Sequence, residues 1–102
     1  MAEHYDAEVV NETYNSRLVL VRGEHEGELV YRRHGHELIL VHTGVDEDLR
    51  GEGVGGLLVK AAVMWAQRDD LIIVPWCPFA RRWLQKHDTV AAKVQIDWST
   101  PR

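Results

Sequence analysis

Residues 50 to 56 read Arg-Gly-Glu-Gly-Val-Gly-Gly, with four glycines in the six positions from Gly51 to Gly56. An apolar run ending at Val45 precedes them, and a second, Leu57 to Trp65, follows. The order is strand, glycine-rich turn, helix. Glycine admits positive φ and lets backbone N–H groups approach a ligand closely. The helix that follows aims its unpaired N–H groups and the positive end of its dipole into the same space. That chemistry is anion binding, most often of phosphate. The plain alternative is a helix reached through an ordinary flexible turn, at the cost of glycines that weaken a fold without return. A second reactive candidate is Cys77, just before Pro78, a residue suited to open a helix. A helix N-terminus lowers a thiol pKa, and Arg81 and Arg82 lie one turn on. The alternative there is a small buried residue at a strand end.

Spacing separates three kinds of phosphate loop. A P-loop needs Lys followed by Ser or Thr after its last glycine, and Leu57-Leu58 stands there instead. Gly51, Gly53 and Gly56 match the dinucleotide fingerprint Gly-x-Gly-x-x-Gly. That fingerprint follows its strand directly, and an acid ends the next strand. Here Asp46-Glu47-Asp48 intervenes, and the next candidate strand ends in Pro75-Trp76, which demotes it. Arg50, Gly53 and Gly55 match Arg/Gln-x-x-Gly-x-Gly/Ala, with Val45 ahead of the Arg. This resembles the acetyl-CoA pyrophosphate loop of the GNAT superfamily of N-acyltransferases. His42-Thr43-x-Val45, Val74-Pro75-x-Cys77-Pro78-Phe79, Trp83 and Lys86-His87 extend the likeness to small single-domain GNAT-like proteins. It covers roughly Val9 to His87.

The resemblance implies acetyl-CoA as acyl donor. The amides of Gly51, Glu52, Gly53, Val54 and Gly55 would cradle its diphosphate, with Arg50 adding charge-assisted bonds. The backbone of Thr43 and Val45 would pair with the pantetheine arm between two splayed strands. Cys77 would lie at the thioester, acylated or passing a proton to the leaving thiol. His42 is the candidate base for an attacking amine, against a hydrogen-bonded structural role. Trp76 could wall a ligand. The acids Asp46, Glu47, Asp48 and Glu52 depart from the pattern and read as solvated. Many GNAT enzymes carry a proton-donating Tyr in the second helix; here Tyr5, Tyr14 and Tyr31 all lie in the first half of the chain. The first reading is therefore an N-acetyltransferase acting on a small amine or a basic protein or peptide. The second is a CoA-binding module with little turnover, and the third an interaction domain.

These residues need elements to hold them. Ala7–Asn11 reads as an edge strand, Arg17–Arg22 and Glu28–Arg33 as strands joined by a polar turn over Gly23–Gly27, and Glu37–Val45 as the most apolar strand, buried on both faces. His34-Gly35-His36 is a tight turn, so the first half predicts an antiparallel meander. Val54, Leu57, Leu58, Ala61, Ala62 and Trp65 form one helical stripe. Asp69-Asp70 turn the chain into Leu71–Val74, predicted parallel to Glu37–Val45 across the helix. A second helix carries Ala80, Trp83, Leu84 and His87, Val90–Asp97 reads as a last strand, and Ser99–Arg102 as a frayed end. The fold class is α+β: a trimmed GNAT fold with a mixed, mostly antiparallel sheet and two main helices.

At 102 residues the chain predicts one domain, residues 1–102. A net charge of −4 argues against a general nucleic-acid binder and suits a basic acceptor. No apolar run approaches the ~18 residues of a membrane span. His34-x-His36 is too slight a pattern for a metal site. Met1–Ala7 lacks the basic start and apolar core of a signal peptide, and a lone cysteine suits a reducing compartment, so the expected location is cytoplasmic.

Overall fold

Period-two burial builds the sheet. Val9, Leu18, Leu20, Leu29 and Tyr31 are buried, and the register pairs Val9–Leu20 and Leu18–Leu29 put them on one face. The computed structural model describes residues 3–4 and 8–100. Its strands are β1 (Glu3–His4), β2 (Val9–Glu12), β3 (Arg17–Arg22), β4 (His25–His34), β5 (Glu37–Val45) and β6 (Ile72–Pro75), side by side in chain order. The first five form the expected antiparallel meander. Only β5 and β6 run parallel, Glu37 opposite Ile72 to Leu40 opposite Pro75. A parallel pair needs a crossover, and helix α1 (Val54–Asp69) supplies it. Leu38, Ile39 and Leu40 are buried in succession, as a central strand between two partners should be.

The apolar stripe of α1 packs on the face that carries Leu18, Leu20, Leu29, Leu38 and Leu40. Trp65 meets Tyr31 edge-on, with ring centroids 4.8 Å apart. Helix α2 (Pro78–Lys86) joins the same core through Ala80 and Leu84. The opposite face presents Glu12, Arg17, Glu28, Val30 and His42. Asp70, in the left-handed region, ends α1, and the Leu71 N–H donates back to the Ala66 carbonyl.

Several expectations are corrected. Gly27 is no turn residue. It is buried within β4, where a Cβ would lie 2.6 Å from Val54 Cγ1, so its small size lets α1 sit on the sheet. The turn is Gly23-Glu24 alone, with Arg22 opposite His25. Val90–Asp97 is not a strand. Helix α3 (Asp88–Ala91) and a turn occupy most of it, because Val90, Ala91 and Val94 recur at helical spacing and pack against the core. Only Ile96 bridges to Ile73, through the Gln95 carbonyl and the Asp97 N–H. The strand expected from Ala7 begins at Val9 and is second in the sheet, with β1 outside it; Ala7 lies outside the described residues. The end of the chain is held as far as Ser99, since the Arg81 guanidinium donates to the Trp98 and Ser99 carbonyls. Residues 101–102, and most of Met1–Ala7, lie outside the described residues.

Candidate active site

Two local irregularities open the sheet beside the glycine loop. In β5, Leu40 stands opposite Tyr31 and His42 opposite Val30, so Val41 is an extra residue. Such a bulge bends its strand and raises the local twist. On the other side, β6 stops at Pro75. The Trp76 N–H donates to the Val74 carbonyl at 3.1 Å, closing a three-residue turn, and the Cys77 N–H then reaches the Leu40 carbonyl at 2.9 Å. Beyond that bond the strands part, and among the described residues no strand pairs with β5 on that side from His42 to Val45. The Asp46 N–H donates to the Glu26 carbonyl. Backbone groups alternate along a strand, so those of Thr43 and Val45 face away from β4, into the opening.

The loop lies at the head of α1. A short 3₁₀ turn, Glu47–Leu49, buries Leu49 and leads to Arg50. Gly51 at φ 86° and Gly53 at φ 76° take conformations that a side chain strains. Gly53 is the N-cap, and no side chain caps the helix. Among the described residues, no backbone carbonyl accepts from the N–H groups of Gly51, Gly53, Val54, Gly55 or Gly56. Arg50 is exposed, and its guanidinium makes no ion pair or hydrogen bond among the described residues.

A cleft of about 630 Å³ joins the free strand edge to this loop. His42, Thr43 and Val45 line one wall, and Arg50, Gly51, Gly53, Val54 and Gly55 another. Two predicted residues are not in its lining. Glu52 turns away: Arg22 donates to its Oε1 at 2.8 Å and holds Glu8 with two further bonds. It shares the Arg22 guanidinium with Glu8 rather than standing alone beside the loop. Of the preceding acids, Asp48 faces His25 at 3.1 Å, and Asp46 accepts from the Glu26 N–H. Cys77 is also outside the lining. It is 3% exposed, with Sγ 3.3 Å from Thr43 Oγ1, and Thr43 is its link to the cleft. The expectation that Arg81 would attend the thiol is corrected, because Arg81 reaches the opposite way, over the Trp98 ring and onto the tail carbonyls.

The third wall is α2, through Phe79 and Trp83. A Cβ at Gly55 would lie 2.6 Å from Phe79, and one at Gly56 2.5 Å from Trp83 Nε1. The last two glycines of the loop thus admit two aromatic rings. Trp83, stacked on His87 with centroids 3.9 Å apart, takes the wall position expected of Trp76. Small residues opening a helix, with aromatics four apart on the next one, were the available signal. Gly44 and Leu49 complete the lining.

The family model for GCN5-related N-acetyltransferases matches residues 17–94. The chain belongs to the GNAT family. Its structure is similar to the NMR solution structure of a GCN5-like candidate N-acetyltransferase from Staphylococcus aureus. The TM-score is 0.64 at 26% identity, covering 95% of this chain and 89% of that one. No curated protein matches in sequence. GNAT acetyltransferases use acetyl-CoA, and the donor set here suits that molecule. Five unpaired amides and a free guanidinium offer bonds to a diphosphate, and an unpaired strand edge offers backbone groups to an amide-bearing arm. Helix α2 contains no Tyr.

Proposed function

We propose that this GNAT domain, acting as a single unit over residues 1–102, transfers acetyl from acetyl-CoA to a primary amine on a small molecule or a basic peptide. The observation that supports this best is the set of unpaired amides at the head of α1, opening onto the free edge of β5. The amides of Gly51, Gly53, Val54, Gly55 and Gly56, with Arg50, hold the diphosphate, whereas the Glu52 N–H, expected to join them, donates to the Leu49 carbonyl at 3.2 Å. Thr43 and Val45 offer backbone groups to the pantetheine arm. Acetyl-CoA supplies an activated acyl group as a thioester.

His42 takes a proton from the acceptor nitrogen, whose lone pair forms the new C–N bond as the C–S bond breaks. Strand N–H groups stabilise the charge that develops on the carbonyl oxygen. The Thr43 hydroxyl passes a proton to the departing sulfur, and the Cys77 thiol replaces it. Cys77 is then a positioning and relay residue, and solvent restores its proton. A cytoplasmic setting suits this free thiol.

The test is release of free thiol from acetyl-CoA in the presence of amines. His42→Ala should lower kcat/KM by roughly 10²–10⁴-fold with acetyl-CoA affinity kept. The absence of Tyr from α2 favours a second reading, a CoA-binding module with little turnover. Tight binding of acetyl-CoA with no transfer to any amine would establish that reading instead.

A further inference from the structure

The face of the sheet opposite α1 brings a carboxylate to the mouth of the cleft. Glu28 stands opposite Gly44 across β4 and β5, and His42 lies two residues along on the same face. A Cβ at Gly44 would lie 3.4 Å from His42 Nε2 and 3.9 Å from Glu28 Oε2. Among the described residues these two groups make no hydrogen bond or ion pair with each other. They border the space that a side chain at position 44 would fill. His42 and Gly44 line the cleft, so that space opens into it.

Glu28 is fixed in place. The Arg17 guanidinium donates to Glu28 Oε1 at 2.8 Å, and also to Glu12 Oε1 and Glu26 Oε2 at 2.8 Å each. Donating hydrogen bonds to Glu12 and then to Glu28 pushes the Arg17 pKa further up, so it stays charged. One guanidinium against three carboxylates leaves two negative charges unmatched. One oxygen of Glu28 is therefore anchored while the other, Oε2, is presented beside the gap.

Resting on the acetyl-transfer reading, we propose that Glu28 anchors the acceptor. Its Oε2 holds the ammonium form of a primary alkylamine in the Gly44 gap beside His42 Nε2, and so selects cationic acceptors over neutral ones. One ammonium proton passes by way of the His42 imidazole to solvent, the freed lone pair makes the new bond to the acetyl carbon as the C–S bond breaks, and the imidazole takes the nitrogen's second proton. The product amide carries no charge, so it loses its hold on Glu28 and leaves. Arg17 keeps the carboxylate aimed. Gly44 provides room that even alanine would occupy.

The full chain, labelled with ¹⁵N, is titrated without acetyl-CoA using Nα-acetyl-lysine methylamide and its uncharged norleucine counterpart. The lysine probe should shift the Gly44 and Glu28 amide signals saturably, and the norleucine probe should not. Glu28→Gln should weaken the lysine probe about tenfold, as expected for one charge-assisted bond at a half-exposed site. Gly44→Ala, whose added methyl makes only ordinary contacts, should weaken it as well. In turnover, the ratio of kcat/KM for the lysine probe to that for 4-methylaniline, uncharged at neutral pH, should fall about tenfold in Glu28→Gln. Equal binding of the two probes, or lysine binding unchanged in both variants, overturns the proposal. So does an equal loss of turnover for both amines, which a purely structural Glu28 would give. Acetyl-CoA affinity is measured on the same samples. Its absence would sink the acetyl-transfer reading, while the titration still decides the role of Glu28.

Discussion

The Arg50 guanidinium is exposed and unpaired among the described residues, at the start of a loop whose own acid, Glu52, is tied off by Arg22. With nothing in the fold for Arg50 to support, Arg50→Ala should leave Tm unchanged. It should weaken acetyl-CoA about tenfold by isothermal calorimetry, the scale of one charge-assisted bond. Cys77 is the reverse case, a buried residue whose thiol touches the cleft-lining Thr43. Cys77→Ser keeps the size and the contact but replaces the thiol with a far weaker acid. It should lower kcat and spare acetyl-CoA affinity; an unchanged kcat would reduce Cys77 to a space-filler. The sequence singled out both residues as candidates. It misjudged their company, because the direction in which Arg81 and Glu52 reach is set by partners 17 and 30 residues away in the chain.

At the scale of elements, the site depends on how closely α1 and α2 approach. Gly55 and Gly56 sit under Phe79 and Trp83 with no space for a Cβ. Gly56→Ala should therefore destabilise the protein by about 1–3 kcal/mol, the usual cost of overpacking, despite alanine's better helix propensity. Urea unfolding measures it. In a Trp83→Ala background the same change should cost little or become favourable, since the clash partner is gone. An equal loss in both backgrounds would break the packing account. The meander, the helix from Val54 and the parallel return at Leu71 were legible because hydrophobic period marks burial. The bulge at Val41 was not. Nothing in a run of apolar residues says which one lacks a partner, since that depends on the register of β4. Val90–Asp97 was misread for a related reason: a β-branched, apolar segment of that length fits either period until its neighbours choose.

For the whole molecule, stability should answer to ligand and to pH. A ligand that binds only the folded chain at ~100 times its Kd adds about 2.7 kcal/mol, which should raise Tm by about 10 °C for a chain this small. Acetyl-CoA should give that rise and NAD none, because the chain belongs to the GNAT family and its loop departs from the dinucleotide context. On the acid side, hydrogen bonds from Arg17 hold the Glu12 carboxyl below its ordinary 4.5, and those from Arg68 hold Asp69 below 3.8. Both carboxylates bind their proton less readily folded than unfolded. Their contribution is thus complete above the ordinary values and is lost as pH falls through the depressed ones. Tm should begin to fall below about pH 4.5, and Glu12→Gln should flatten part of that fall.

The sequence by itself determined the family, the order of the main elements and the place of the glycine loop at the head of α1. Those are carried by motif spacing and by local hydrophobic period, which need no knowledge of neighbours. The tertiary structure decided which of those residues share a cleft. It opened the strand pair at Val41 and Pro75, set Phe79 and Trp83 over Gly55 and Gly56, and placed Glu28 across from Gly44. Each of these is a pairing between distant segments, fixed by register and packing, and no local property of either segment specifies it.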